Sequence, residues 1–132
     1  MSQQIDVVII EDEEDIGNLY KAVIEKAGLS CNLQTDGISG LTFVRQNKPK
    51  LVLLDIMLPG LNGLDILSKL KADQETSLIT VVMLSNLGDD ATIEVAKSRG
   101  AFDFLVKVEF APADVIARIY GYLGQKPQAG VV

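Results

Sequence analysis

Three apolar runs of four residues, Val7 to Ile10, Leu51 to Leu54 and Val81 to Leu84, recur along the chain, and each is followed by apolar residues at helical spacing. Strands this short and this uniformly apolar are covered on both faces, and their interleaving with helices restricts the chain to a parallel sheet between two helical layers. Two weaker runs complete a series of five β-α units. The first strand spans Ile5 to Ile10, and Ile16, Leu19, Tyr20, Val23, Ile24 and Ala27 then repeat on a helix that Gly28 stops. A second strand at Leu29 to Gln34 leads through Asp36 and Gly37 to a helix using Leu41 and Val44, ended before Pro49. Leu51 to Asp55 is the third strand; Pro59, Gly60, Asn62 and Gly63 form a loop before a helix carrying Leu64, Leu67 and Leu70. Ile79 to Leu84 is the fourth, and its helix, from Asp89 to Arg99, has a thin apolar stripe of Thr92, Val95 and Ala96. After Gly100 comes a fifth strand, Phe102 to Val106, and a helix with Pro112 in its first turn and Ile116, Ile119, Tyr120 and Leu123 on one face. The 132 residues suit one core. One domain is therefore expected over 1–124, with 125–132 a short C-terminal tail lacking periodicity and no effector domain after it.

Charge and composition narrow the chemistry. Twelve Lys and Arg against 18 Asp and Glu leave −6, which repels phosphate backbones and anionic lipid and argues against direct nucleic-acid or membrane partners. The apolar runs fall far short of the roughly 20 residues that cross a bilayer, and no signal peptide is legible, so a cytoplasmic protein is expected. The single cysteine, Cys31, reads as a small buried side chain. The chain has no histidine, which excludes imidazole catalysis and His-based metal sites.

In open parallel sheets the ligand site lies beyond the carboxyl ends of the strands. Those positions hold Glu11 to Asp15 after strand one, Asp55 after strand three, Ser85 and Asn86 after strand four, and Lys107 after strand five. Glu13, Glu14 and Asp15 read as favourable charge at a helix N-terminus. Glu11, Asp12 and Asp55 are different: three carboxylates on neighbouring strand tips repel unless a cation lies between them, and an oxygen-only donor set selects a hard ion such as Mg2+. Asp55, flanked by that ion and by Lys107, is arranged as a nucleophile toward phosphorus, with the Ser85 hydroxyl able to donate to a phosphoryl oxygen.

These residues, in this order, resemble the receiver domain of two-component response regulators from about Ile5 to Leu123. Val8-Ile-Ile-Glu-Asp-Glu is similar to the family's acidic pair, and Leu53-Leu-Asp-Ile-Met-Leu-Pro-Gly-Leu-Asn-Gly-Leu to its phosphoacceptor loop. Leu84-Ser, Gly100-Ala and Phe104-Leu-Val-Lys are similar to its switch elements. The resemblance implies a flavodoxin-like three-layer α/β/α sandwich with a five-stranded sheet in order 2-1-3-4-5. It implies that Asp55 accepts a phosphoryl group from the phosphohistidine of a sensor histidine kinase or histidine phosphotransfer protein, or from a small acyl phosphate. Mg2+ would be held by Asp12, Asp55 and the backbone carbonyl of Met57, with Glu11 acting partly through water, and Lys107 would hold the phosphoryl group. The domain would catalyse only its own phosphotransfer and dephosphorylation. Ser85 and Phe104 would be the switch, altering the face of the fourth helix, fifth strand and fifth helix for an unknown downstream protein partner or a phosphorylation-dependent dimer.

Three departures stand out. Phe104 replaces the commoner Tyr; Lys107 is followed by Val108 and not Pro, so the bond between them is either trans or strained; and Asn86 stands where a smaller residue is usual. Met57 and Leu87 flank the site as an apolar pair, which points to slow self-dephosphorylation. Rival readings are a degenerate receiver that binds protein independently of phosphorylation, a flavodoxin-like electron carrier, and an aspartate-nucleophile phosphatase. Five acidic residues in the first loop repel FMN phosphate, and Met57 stands where such phosphatases carry a second acid.

Overall fold

The computed structural model describes residues 4–124. Five strands, β1 (Val7–Ile10), β2 (Cys31–Gln34), β3 (Leu51–Leu54), β4 (Thr80–Ser85) and β5 (Asp103–Val106), alternate with helices α1 (Glu14–Lys26), α2 (Gly37–Asn47), α3 (Gly63–Ala72), α4 (Asp90–Ser98) and α5 (Pro112–Leu123). All strand pairs are parallel and the order is β2-β1-β3-β4-β5, as the resemblance implies. The tail expected over 125–132 lies outside the described residues.

Strand geometry explains the two cores. Successive side chains point to opposite faces, so Val8, Ile10, Val52, Leu54, Val81 and Met83 pack with Leu41, Val44, Ile66, Leu67 and Leu70 of α2 and α3. Val7, Ile9, Leu51, Leu53, Val82 and Leu84 pack with Tyr20, Ile24, Val115, Ile116 and Ile119 of α1 and α5. Helix starts are chemically marked: Asp36, Asn62 and Asp89 accept from the backbone N–H of Ser39, Asp65 and Thr92. Gly28, at φ 93°, ends α1 in the left-handed region that glycine tolerates.

Several expectations change. Leu19 and Val95 face outward although both fit the helical period; Ala96 alone is buried on α4, while Ile93 packs partly against the core. Cys31 is half-buried and not fully so, because β2 is the edge of the sheet. A short 3-10 turn, Lys107–Glu109, follows β5, which no periodic signal in the sequence marks. The Lys107–Val108 bond is trans, since no peptide among the described residues is cis. No helix there is long and apolar enough to cross a membrane.

Candidate functional site

Parallel register brings the chemistry together. Ile10 lies opposite Leu54, so Glu11 and Asp55 follow at the same level, and Asp55 N–H donates to the Ile10 carbonyl at 3.0 Å. Ser85 lies opposite Val106, which places Lys107 one step beyond. Glu11, Asp55 and Ser85 are all buried, a rare condition for such groups unless they are paired. Their partners are present. Lys107 Nζ donates to Asp55 Oδ2 at 2.8 Å and also to Glu11 Oε1. Met57 N–H donates to Asp55 Oδ1 at 3.2 Å, and Glu13 N–H to Glu11 Oε2 at 3.3 Å.

The two buried carboxyls titrate apart. Burial pushes Glu11 up to about 7; the Lys107 hydrogen bond opposes this and the Asp55 charge reinforces it. Burial acts to raise Asp55 as well, yet hydrogen bonds from Lys107 and Ser85 outweigh it and hold that carboxyl below its ordinary value. Burial acts to lower Lys107, but its two carboxylate partners raise it and keep it charged.

A sign follows for stability. Glu11 binds its proton more tightly folded than at its ordinary 4.5, so its favourable contribution is full below that value and is lost as pH rises through about 7. Asp55 has the opposite sign, its contribution being present above 3.8 and lost as pH falls below it. The metal-free protein should therefore lose roughly 2–3 kcal/mol between about pH 5 and about pH 8, and Glu11→Gln should flatten that decline. Urea denaturation in EDTA at both pH values checks this; equal slopes for the two proteins would contradict it.

Glu11, Asp12 and Asp55 each offer a carboxylate oxygen, and these oxygens lie within 4.8 Å of one another. Asp12 is exposed and the other two are buried, so the cluster opens to solvent on one side. Three oxygens at that spacing fit a hard divalent cation that keeps part of its water. Above them opens a crevice of about 790 Å³, lined by Asp12, Asp55, Ser85 and Lys107 and by apolar Met57 and Leu87. Of the residues expected at the site, Glu11, Asp12, Asp55, Ser85 and Lys107 converge; Met57 and Leu87 stand at its mouth. Phe104 is buried against the α2/α3 core and does not line the crevice.

Gly63 has a part in the site that its neighbours in the sequence do not reveal. Its N–H donates to the Ile56 carbonyl at 2.8 Å, and a Cβ there would lie 2.0 Å from the Asp55 carbonyl oxygen. The loop that presents Asp55 closes only because residue 63 has no side chain. Its place in the loop motif is visible in the sequence, but a steric contact across eight residues has no periodic signal.

A five-stranded parallel sheet in the order β2-β1-β3-β4-β5, with acids, a hydroxyl and a lysine gathered at the carboxyl ends of its strands, defines a doubly wound α/β domain. A model of the response regulator receiver domain matches residues 7–120, and the chain belongs to that family. The DNA-binding response regulator MtrA of Mycobacterium leprae is 34% identical over 113 residues, 86% of this chain and 48% of that protein. The transcriptional regulatory protein CseB of Streptomyces coelicolor is 32% identical over 130 residues, 98% of this chain and 54% of that protein. The chain thus spans about half the length of the curated relatives it matches. Among solved structures, the BeF3-activated receiver domain of RstA from Klebsiella pneumoniae superposes with a TM-score of 0.83 at 30% identity, covering 91% of this chain and 99% of that one. A CheY-like receiver domain protein from Methanospirillum hungatei gives 0.84 at 20% identity over 92% and 95% of the two chains, a likeness of fold alone.

Proposed function

We propose that residues 1–124 form a receiver that takes a phosphoryl group onto Asp55 from the phosphohistidine of a sensor histidine kinase or histidine phosphotransfer protein. The observation that carries this is a buried aspartate at a strand tip, hydrogen-bonded to a lysine whose side chain is 10% exposed, and facing an open crevice. An Asp55 carboxylate oxygen bonds to phosphorus as the bond from phosphorus to the histidine nitrogen breaks, and that nitrogen leaves with the electron pair. Glu11, Asp12, Asp55 and the Met57 backbone carbonyl would hold Mg2+, which when bound supplies positive charge to the phosphoryl oxygens. Lys107 is already bonded to the nucleophile and passes to a phosphoryl oxygen; the Ser85 hydroxyl donates to another.

Drawing Ser85 toward the new dianion displaces the connection to α4, a helix anchored by buried Ala96 and partly packed Ile93. Phe104, beside that connection, shifts with it, and the α4, β5 and α5 face changes for a downstream protein or a second copy. The net charge of −6 argues that DNA contact, where relatives named as DNA-binding make it, is not made by this domain. A single cysteine, which can form no intrachain disulfide, suits the cytoplasm.

Acetyl phosphate and Mg2+ should give a mass gain that hydroxylamine removes and that Asp55→Asn never shows. No gain from acetyl phosphate or from a phosphorylated kinase would overturn the proposal and leave a phosphorylation-independent binding module. Met57 is 64% exposed and Leu87 42%, both at the crevice mouth, where they hinder attacking water. Replacing them together, Met57→Asn with Leu87→Gln, should shorten the aspartyl-phosphate lifetime by about tenfold, a barrier change of about 1.4 kcal/mol. An unchanged lifetime by mass spectrometry would refute that role.

A further inference from the structure

Asn86 and Val108 are separate departures in the sequence, and in the fold they meet. Val108 N–H donates to Asn86 Oδ1 at 3.0 Å. A proline at 108 has no N–H to give, so the bond depends on the valine. It lies just beyond the last ladder pair, Ser85 with Val106, and adds one more link between the two connections. The segment after β4 is folded back on the end of β5. Leu87 N–H donates to Ser85 Oγ at 3.2 Å and Gly88 N–H to the Asn86 carbonyl at 3.0 Å. Gly88 lies so close that a Cβ would be 2.4 Å from Val106 Cγ2.

The linked connections carry the two cation or hydroxyl groups that reach Asp55. Ser85 immediately precedes Asn86, and Lys107 immediately precedes Val108. We propose that Asn86 is a positioning residue: its amide carbonyl, through the Val108 N–H, fixes the Ser85 connection against the Lys107 connection so that hydroxyl and ammonium stay in register over Asp55. Preorganised donors stabilise a transition state because they need no reorganisation when charge develops. The proposal rests on the reading of Asp55 as phosphoacceptor. Because Asn86 also lines the crevice, a direct contact with the phosphoryl group is the competing role, and the two roles separate through Val108.

The rate of aspartyl-phosphate formation from acetyl phosphate at saturating Mg2+ is measured for wild type, Asn86→Ala, Val108→Pro, the double variant and Val108→Ala. A neutral hydrogen bond worth about 1 kcal/mol corresponds to about a fivefold loss for Asn86→Ala and for Val108→Pro. The double variant should fall no further, and Val108→Ala, which keeps the N–H, should match wild type. Amide exchange gives a readout independent of phosphorylation: the Val108 proton should exchange about fivefold faster in Asn86→Ala. Additive losses in the double variant, a Val108→Pro rate equal to wild type in a folded protein, or unchanged Val108 exchange would overturn the positioning role. A wild-type protein that takes no phosphate would overturn the phosphoacceptor reading and this role with it. A phosphorylated wild type with an equally fast Asn86→Ala would overturn this role alone.

Discussion

Gly63→Ala is expected to cost roughly 3 kcal/mol of stability and to abolish phosphorylation of Asp55, although alanine is the better helix former by about 1 kcal/mol. Gly63 opens α3, where propensity alone favours the substitution. Sterics decide the sign. The added Cβ would lie 2.0 Å from the Asp55 carbonyl oxygen and 2.8 Å from both the Asp55 carbonyl carbon and Ile56 Cα. These are backbone atoms, so no rotamer change relieves the contact; the loop itself must move, and Asp55 moves with it. Gly121→Ala in α5 is the control, because nothing lies within 4 Å of the point its methyl would occupy and a gain of about 0.5–1 kcal/mol is expected there. Urea denaturation of the two variants beside wild type decides the matter. A Gly63→Ala protein as stable as wild type would show that the loop does not need this close approach.

Lys107→Met is expected to be nearly as damaging for a different reason. The lysine side chain is 10% exposed, and the carboxylates it joins, Glu11 and Asp55, are 3% and 7% exposed. Removing one partner from a buried ionic cluster leaves the rest uncompensated and typically costs 3–5 kcal/mol, here about 3 kcal/mol because Asp12 opens the cluster to water. Methionine keeps most of the aliphatic stem, so the loss reports charge and not packing. Two results are expected together: a Mg2+-free protein destabilised near neutral pH and partly recovered by Mg2+, and phosphoryl transfer from acetyl phosphate slowed about a hundredfold. A variant that phosphorylates at the wild-type rate would remove Lys107 from the mechanism.

How much of this is legible without coordinates depends on range. Val7 to Ile10 and Leu51 to Leu54 announce buried strands by themselves, and the stop signals at Gly28 and before Pro49 act within a turn of where the helices end. Helical spacing identifies the apolar positions of α1 and α4 but not which neighbour faces inward: Leu19 beside Tyr20, and Val95 beside Ala96, point to solvent because the sheet admits only a narrow stripe. Glu11, Asp12, Asp55, Ser85 and Lys107 are readable as strand-end residues, since topology brings such ends to one edge. That Glu11 shares Lys107 with Asp55 depends on side-chain reach between β1 and β5 termini, which no local pattern encodes. The same holds for Gly63 against the Asp55 carbonyl and for Asn86 against Val108. These contacts join residues distant in sequence through single atoms, so each position looks like an isolated oddity until the chain is folded.

The most direct test is to locate the phosphoryl group. After acetyl phosphate and Mg2+ treatment, borohydride converts an acyl phosphate on aspartate to homoserine, and peptide sequencing by mass spectrometry finds the converted residue. Homoserine at position 55 alone, and only in samples that contained Mg2+, is the predicted result. Conversion at Glu11 or Asp12, conversion without a divalent ion, or no conversion in a protein that remains folded would contradict the account.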